Sequence, residues 1–216
     1  MSSKLKYLIT GHPRCGSGFA SSLFNKLGVN CSHEQNPINK DALSSWAFLI
    51  QHEDDDGIYP RYGINGSDWR DEYSFTHKIT HLRNPFDAVP SIIDENNYDW
   101  SFKIRYEYIY KKLNKKIKGS NIEKAILSYI YWNEISISES ELYFKIESEK
   151  DFLKLKDFLK SKNEKLKKVD FNSLNKINSK PNSKNPISIS DYNSVSKEIK
   201  TELESFCVRC GYDYII

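Results

Sequence analysis

The sequence predicts a three-layer α/β fold with a central, mainly parallel sheet. Three observations point to it. Short apolar runs of strand length alternate with stretches of helical periodicity, a glycine-rich turn from Gly11 to Gly18 separates the first strand from the first helix, and a second strand, turn and helix follow at residues 75–91. A chain of 216 residues can bury a sizeable core within one domain. Residues 1–216 are therefore read as a single domain with a loop insertion at about 51–73 and a surface loop at about 172–190.

Lys6-Tyr7-Leu8-Ile9-Thr10 is a buried strand that runs into Gly11-His12-Pro13-Arg14-Cys15-Gly16-Ser17-Gly18, where glycine and proline force a turn. Phe19, Ala20, Leu23, Phe24 and Leu27 then recur at helical spacing, and Gly28 supplies the stop. Val29 to Ser32 is a second strand ending at His33-Glu34, and a helix is expected over 42–50. Residues 51–73 mix acids, Gly, Pro and aromatics, the composition of a functional loop. Phe75 to Leu82 reads as a strand, with Pro85 opening a helix. Helical patterns cover 101–116 and 121–137, Leu142 to Ile146 is a strand, and helices follow at 149–160 and 194–210.

No apolar run is long enough to cross a bilayer, and the first residues lack the features of a secretory signal, so a cytoplasmic protein with no membrane span is expected. Four cysteines, Cys15, Cys31, Cys207 and Cys210, are too few for a disulfide scaffold and read as free thiols. Residues 1–100 carry 9 basic and 13 acidic side chains, whereas 101–216 carry 23 and 16, giving −4 and +7. An anion bound by the N-terminal half must then be held by individually placed donors, because the average field there is unfavourable. No reading element for nucleic acid accompanies the modest excess of +3, so nucleic-acid binding is not expected. No metal set is complete. His77 and His81 share a strand face and read as satisfied interior histidines, and Asp54-Asp55-Asp56 as solvated loop acids.

A glycine-rich turn between strand and helix exposes backbone N–H groups and the positive end of the helix dipole, a geometry that favours an anion. Gly11 and Gly16 have the spacing of an ATP-type P-loop, but the Lys and Ser/Thr that should follow are replaced by Ser17 and Gly18. Arg14 supplies a cation inside the loop, and His12 packs or hydrogen-bonds there. Further along, Arg83 closes a strand, Asn84 caps the helix opened by Pro85, and Ser91 falls two turns later. Two anion sites suggest a ligand with two phosphate groups. The loop alone leaves other readings open. A P-loop small-molecule kinase must find its lysine and magnesium ligands elsewhere. A cysteine phosphatase built on Cys15 lacks the arginine it needs between Gly16 and Ser22. A non-catalytic adenosine-bisphosphate-binding module is the third alternative.

Pro13-Arg14-Cys15-Gly16-Ser17 resembles the 5′-phosphosulfate loop, and Arg83-Asn84-Pro85 with Ser91 resembles the 3′-phosphate motif, of the sulfotransferases that use 3′-phosphoadenosine 5′-phosphosulfate (PAPS). Weaker likeness continues through Gly28 to Glu34, Tyr143 to Glu147, and Cys210-Gly211-Tyr212. Three positions depart from the family pattern. Cys15 stands in place of a small hydroxyl residue, Gly18 in place of a second Ser or Thr, and Pro90 precedes Ser91 inside the expected helix.

The resemblance implies a P-loop NTPase-like sulfotransferase architecture that moves a sulfuryl group from PAPS to a hydroxyl or amine acceptor, a carbohydrate or small alcohol, and releases 3′-phosphoadenosine 5′-phosphate (PAP) with no metal required. It implies donor binding by Arg14, Cys15, Gly16, Ser17, Gly18, Arg83 and Ser91, with Arg14 also neutralising the leaving phosphate. An acceptor needs a base, for which Glu34 at the end of the second strand is first choice and His33 the runner-up. Trp46, Tyr59, Tyr62, Trp69, Tyr98 and Trp100 are candidates to line an acceptor pocket, although core packing is the commoner role of any one of them. Lys180 and Lys184 flank a loop placed to close on the 3′-phosphate, although surface lysines are commoner.

Overall fold

A computed structural model describes residues 3–50, 72–98, 101–174 and 189–213. The 51–73 insertion up to residue 71, most of the 172–190 loop, and with them Tyr59, Tyr62, Trp69, Trp100, Lys180 and Lys184, lie outside the described residues. In chain order the elements are β1 (Ser3–Thr10), α1 (Ser17–Leu27), β2 (Cys31–His33), β3 (Ala42–Ser44), β4 (Tyr73–Leu82), α2 (Pro85–Tyr98), α3 (Ser101–Leu113), α4 (Asn121–Ser138), β5 (Leu142–Lys145), α5 (Glu149–Ser161), α6 (Ile189–Asn193) and α7 (Lys197–Cys210). Short 3-10 turns stand at Ala47–Leu49 and Phe171–Leu174. The chain groups into two compact units, Met1–Leu82 with Ser136–Ser179, and Arg83–Ile135 with Lys180–Ile216.

The first unit holds a five-stranded, all-parallel sheet in the order β2-β3-β1-β4-β5. Parallel strands are covered by helices, so their residues are apolar with little alternation, as in Tyr7, Leu8 and Ile9, all fully buried. One face carries Tyr7, Ile9, Ile79 and Phe144 against Ala20, Leu23, Phe24 and Leu27 of α1 and Phe152, Leu155 and Leu159 of α5. Burying a side chain the size of Phe24 contributes about 2–3 kcal/mol. Tyr7 donates its hydroxyl to Glu164 Oε1 at 3.0 Å, and Lys6 Nζ lies 2.5 Å from the same oxygen, tying β1 to the segment after α5.

The helix expected over 42–50 is not formed. Ala42–Ser44 is instead β3, paired with β1 and β2, and Ala47–Leu49 is a single 3-10 turn. All three β3 residues are buried, so the strand has no exposed face, and so short a run cannot be told from a helix by period. The link from β2 to β3 is only Glu34–Asp41, short for a parallel pair. It reverses with Glu34 (φ 49°) and Asn39 (φ 57°) in the left-handed region.

In the second unit Asn84 caps α2 as expected, its Oδ1 accepting the Phe86 N–H at 2.9 Å, and the helix runs through Pro90 to Tyr98. Arg105 on α3 is fully buried in a two-pronged pair with Glu95, Nη2 to Oε2 at 3.0 Å and Nη1 to Oε1 at 3.2 Å. Helix α3 ends at Leu113, before the expected 116, because Asn114 turns left-handed (φ 52°) and closes it with an N–H bond to Tyr110 O at 2.9 Å. Helix α7 starts at Lys197 after Ser196, whose N–H is taken by Glu123 Oε1 at 3.0 Å.

Candidate active site

Strands β1 and β4 are neighbours in the middle of the sheet, yet the chain leaves β1 toward β2 and later leaves β4 toward β5 on the opposite side. The carboxyl ends of such a strand pair form a crevice, the usual ligand position in open parallel sheets. Within the first unit this edge gathers the Gly11–Gly18 loop, His33 ending β2 with Glu34 next to it, Ser44 ending β3 with Ser45 next to it, and His81 near the end of β4.

The loop spends some of its amides on itself. Cys15 N–H donates to His12 O at 2.9 Å and Arg14 N–H to His12 Nδ1 at 3.4 Å, so His12 shapes the turn. Cys15 is fully buried, whereas Arg14 is exposed. Gly16 takes a left-handed conformation (φ 94°) to start α1, and a Cβ there would lie 2.7 Å from the Ile146 side chain. No side chain caps α1. The amides of Ser17, Gly18 and Phe19 make no hydrogen bond to another described residue, and the Ala20 N–H is the first to find a helical acceptor, Gly16 O at 2.9 Å. Three amides and the positive dipole end thus stand together without an anionic partner among the described residues, a set of donors that fits a phosphate or sulfate group.

Ser17 joins this helix start to the sheet. Its carbonyl accepts the Ser44 hydroxyl at 3.0 Å, and its Oγ lies 2.9 Å from His33 Nε2. The period of two in β2 and β3 puts Ser44 and His33 on the face that α1 covers, as the register His33↔Ser44 and Ile9↔Ser44 requires. Glu34 turns the other way. Its Oε2 accepts the Ser45 hydroxyl at 2.8 Å and its Oε1 the Trp46 N–H at 3.2 Å. Burial raises the Glu34 carboxyl to about 7 against the opposing pull of those two hydrogen bonds, and burial lowers the His33 imidazole. A carboxyl titrating near neutrality is matched to general-base work. The left-handed backbone of Glu34 costs about 1 kcal/mol or more, a strain that concentrates at functional positions.

His81 forms the floor of the loop. A Cβ on Gly11 (φ 152°) would meet His81 O at 2.5 Å and the His81 ring at 3.0 Å, so only glycine lets the chain pass. His81 is buried, and burial, with the neighbouring His33 second, drives its pKa down to about 3. The Thr10 backbone opposes that shift but is not in hydrogen-bond geometry, and neither ring nitrogen has a hydrogen-bond partner among the described residues. Of the two histidines read as satisfied and interior, His77 is satisfied but only half-buried, its Nδ1 2.7 Å from Glu141 Oε1, and His81 is interior but unsatisfied among the described residues. Among the described residues no three His, Cys, Asp or Glu side chains converge on a point.

The second motif is built in the second unit. Arg83 and Ser91 are both half-buried, Arg83 O accepts the Tyr129 hydroxyl at 2.6 Å, and Asn84 O accepts the N–H groups of Asp87 and Ala88 at 3.1 and 3.0 Å. Trp46 is 8% exposed in the first unit, and Tyr98 closes α2. Ser44, Ser45 and the Trp46 amide escaped sequence reasoning because they sat inside an expected helix. His81 escaped as a loop contact because nothing local says which strand runs beside β1.

No protein-family model and no curated protein matches the chain. Among solved structures, mouse sulfotransferase SULT7A1 complexed with PAP is similar at 12% sequence identity, with a TM-score of 0.41, over 95% of this chain and 84% of that one. Among the described residues no helix is long and apolar enough to cross a membrane.

Proposed function

We propose that the protein is a single-domain sulfotransferase that moves the sulfuryl group of PAPS to a hydroxyl or amine acceptor, a carbohydrate or small alcohol, and releases PAP. The observation that carries this reading is the uncapped start of α1 next to Ser17, on the same sheet edge as a carboxyl raised to about 7. It joins the Pro13-Arg14-Cys15-Gly16-Ser17 and Arg83-Asn84-Pro85 sequences that resemble the two donor motifs.

Sulfuryl transfer is mainly a matter of aligning an in-line nucleophile and neutralising the leaving phosphate. Arg14, the Ser17 hydroxyl and the amides of Ser17, Gly18 and Phe19 supply that neutralisation, while Arg83 and Ser91 hold the 3′-phosphate. Glu34 accepts the proton of the acceptor hydroxyl as the new sulfur–oxygen bond forms and the bond to the phosphate breaks. At pH values above about 7 this carboxyl is mostly ionised and competent as a base.

Calorimetry with PAP against ATP tests the reading. PAP is expected to bind and ATP to bind more weakly, with Arg14→Ala and Arg83→Ala each costing about tenfold to a hundredfold in PAP affinity, the worth of a charge-assisted hydrogen bond. Magnesium-dependent ATP turnover with no response to PAP would replace the reading by a kinase.

A further inference from the structure

The contact between Ser17 and His33 raises a question of proton count. Ser17 Oγ has one proton and lies 2.9 Å from His33 Nε2. If Ser17 gives that proton to His33, its hydroxyl can offer an incoming anion only lone pairs. If His33 donates from Nε2 instead, the Ser17 proton is left to point at the anion beside the first-turn amides. Only the second arrangement serves anion binding, and it is strongest when His33 is an imidazolium, since both of its nitrogens then donate.

We propose that His33 is a positioning residue that donates from Nε2 to Ser17, turns the Ser17 hydroxyl onto a bound phosphate or sulfate, and takes up a proton as that anion binds. This rests on the anion-binding reading of the Gly11–Gly18 loop and adds to it a coupling between ligand and proton. Among the described residues the groups around His33 are Ser17 from α1, its register partner Ser44 from β3, His81 from β4 and the adjacent Glu34. None of these is its counter-ion. Ser17 and Ser44 are neutral, burial holds His81 uncharged, and the Glu34 carboxylate is turned to Ser45 and the Trp46 amide. His33 is exposed at the strand end, and the partial desolvation of its ring favours the neutral form in the free protein. A dianion seated on Ser17 becomes the missing counter-ion, and an opposite charge within about 4–6 Å favours the charged imidazole. The proton comes from solvent to Nδ1, and no covalent bond changes. The same anion also opposes ionisation of Glu34, so proton uptake has two possible carriers that the test must separate.

The full chain is titrated with PAP, and separately with inorganic pyrophosphate, by calorimetry at about pH 7 in buffers of different ionisation enthalpy, and the slope of heat against that enthalpy counts the protons. The wild type is expected to take up about half a proton or more per anion bound. His33→Gln keeps an amide donor near the Nε2 position of an exposed strand end but cannot titrate. It should bind with a loss of no more than about tenfold and with the uptake abolished or reduced to the part carried by Glu34. Glu34→Gln should keep most of the uptake. Equal uptake in wild type and His33→Gln, or uptake abolished only by Glu34→Gln, would overturn the proposal. If pyrophosphate binds with His33-dependent uptake and PAP does not bind, the sulfotransferase reading falls and the coupling stands. If neither ligand binds, both fall.

Discussion

Replacing Glu34 with Gln is expected to flatten the dependence of folding stability on pH. In the folded chain the Glu34 carboxyl is raised from an ordinary 4.5 to about 7, chiefly by burial, with the Ser45 and Trp46 hydrogen bonds offsetting only part of the effect. The folded state therefore holds this proton more tightly than the unfolded state does. The stability it contributes is fully present below pH 4.5 and is lost as pH rises through about 7. Carried across that window, the difference amounts to about 3 kcal/mol. Gln is nearly isosteric with the protonated acid, can accept the Trp46 N–H through its oxygen, and can donate to Ser45 Oγ. The variant should thus match the wild type near pH 4 and exceed it by up to about 3 kcal/mol near pH 8, roughly 6–10 °C in melting temperature for a chain of this size. Thermal melts of both proteins across this range measure it, and other titrating groups cancel in the difference. Parallel wild-type and variant curves would refute the raised carboxyl and, with it, the argument that Glu34 is poised as a base. A gain in stability at high pH accompanied by lost turnover is the expected signature of a functional residue held at a cost.

Gly11→Ala should destabilise the fold by about 1–3 kcal/mol or more, the usual range for overpacking, because the new methyl would meet the His81 carbonyl rather than a flexible side-chain end; urea unfolding reads it. Arg105→Ala should cost about 3–5 kcal/mol by leaving Glu95 charged and unpaired in the interior, and its melting temperature should partly recover when Glu95→Gln is added.

Much of the fold was legible along the chain. Gly11, Gly16 and Gly28 punctuate β1 and α1, and Asn84-Pro85 opens α2 through the cap expected of it, since turns and caps are decided by a few consecutive residues. The parallel class followed from alternation, because parallel strands are usually joined by helical crossovers, as α1 joins β1 to β2, while the short Glu34–Asp41 link from β2 to β3 is the exception. Strand β3 was not legible. Its three buried residues carry no alternating pattern, and what makes them a strand is the pair of neighbours, β1 and β2, that they hydrogen-bond.

The candidate site divides along the same line. That an arginine-bearing glycine loop starts a helix, and that an acid and a histidine end the second strand, is written in local residue order. That His33 reaches Ser17, that half-buried Glu34 is bonded to Ser45 and the Trp46 amide, and that His81 lies under Gly11 depends on strand order and register, which bring together residues 11 to 70 positions apart. A pKa near neutrality is likewise a property of surroundings. Local sequence names the ionisable group, but desolvation and hydrogen bonding from distant segments set when it gives up its proton.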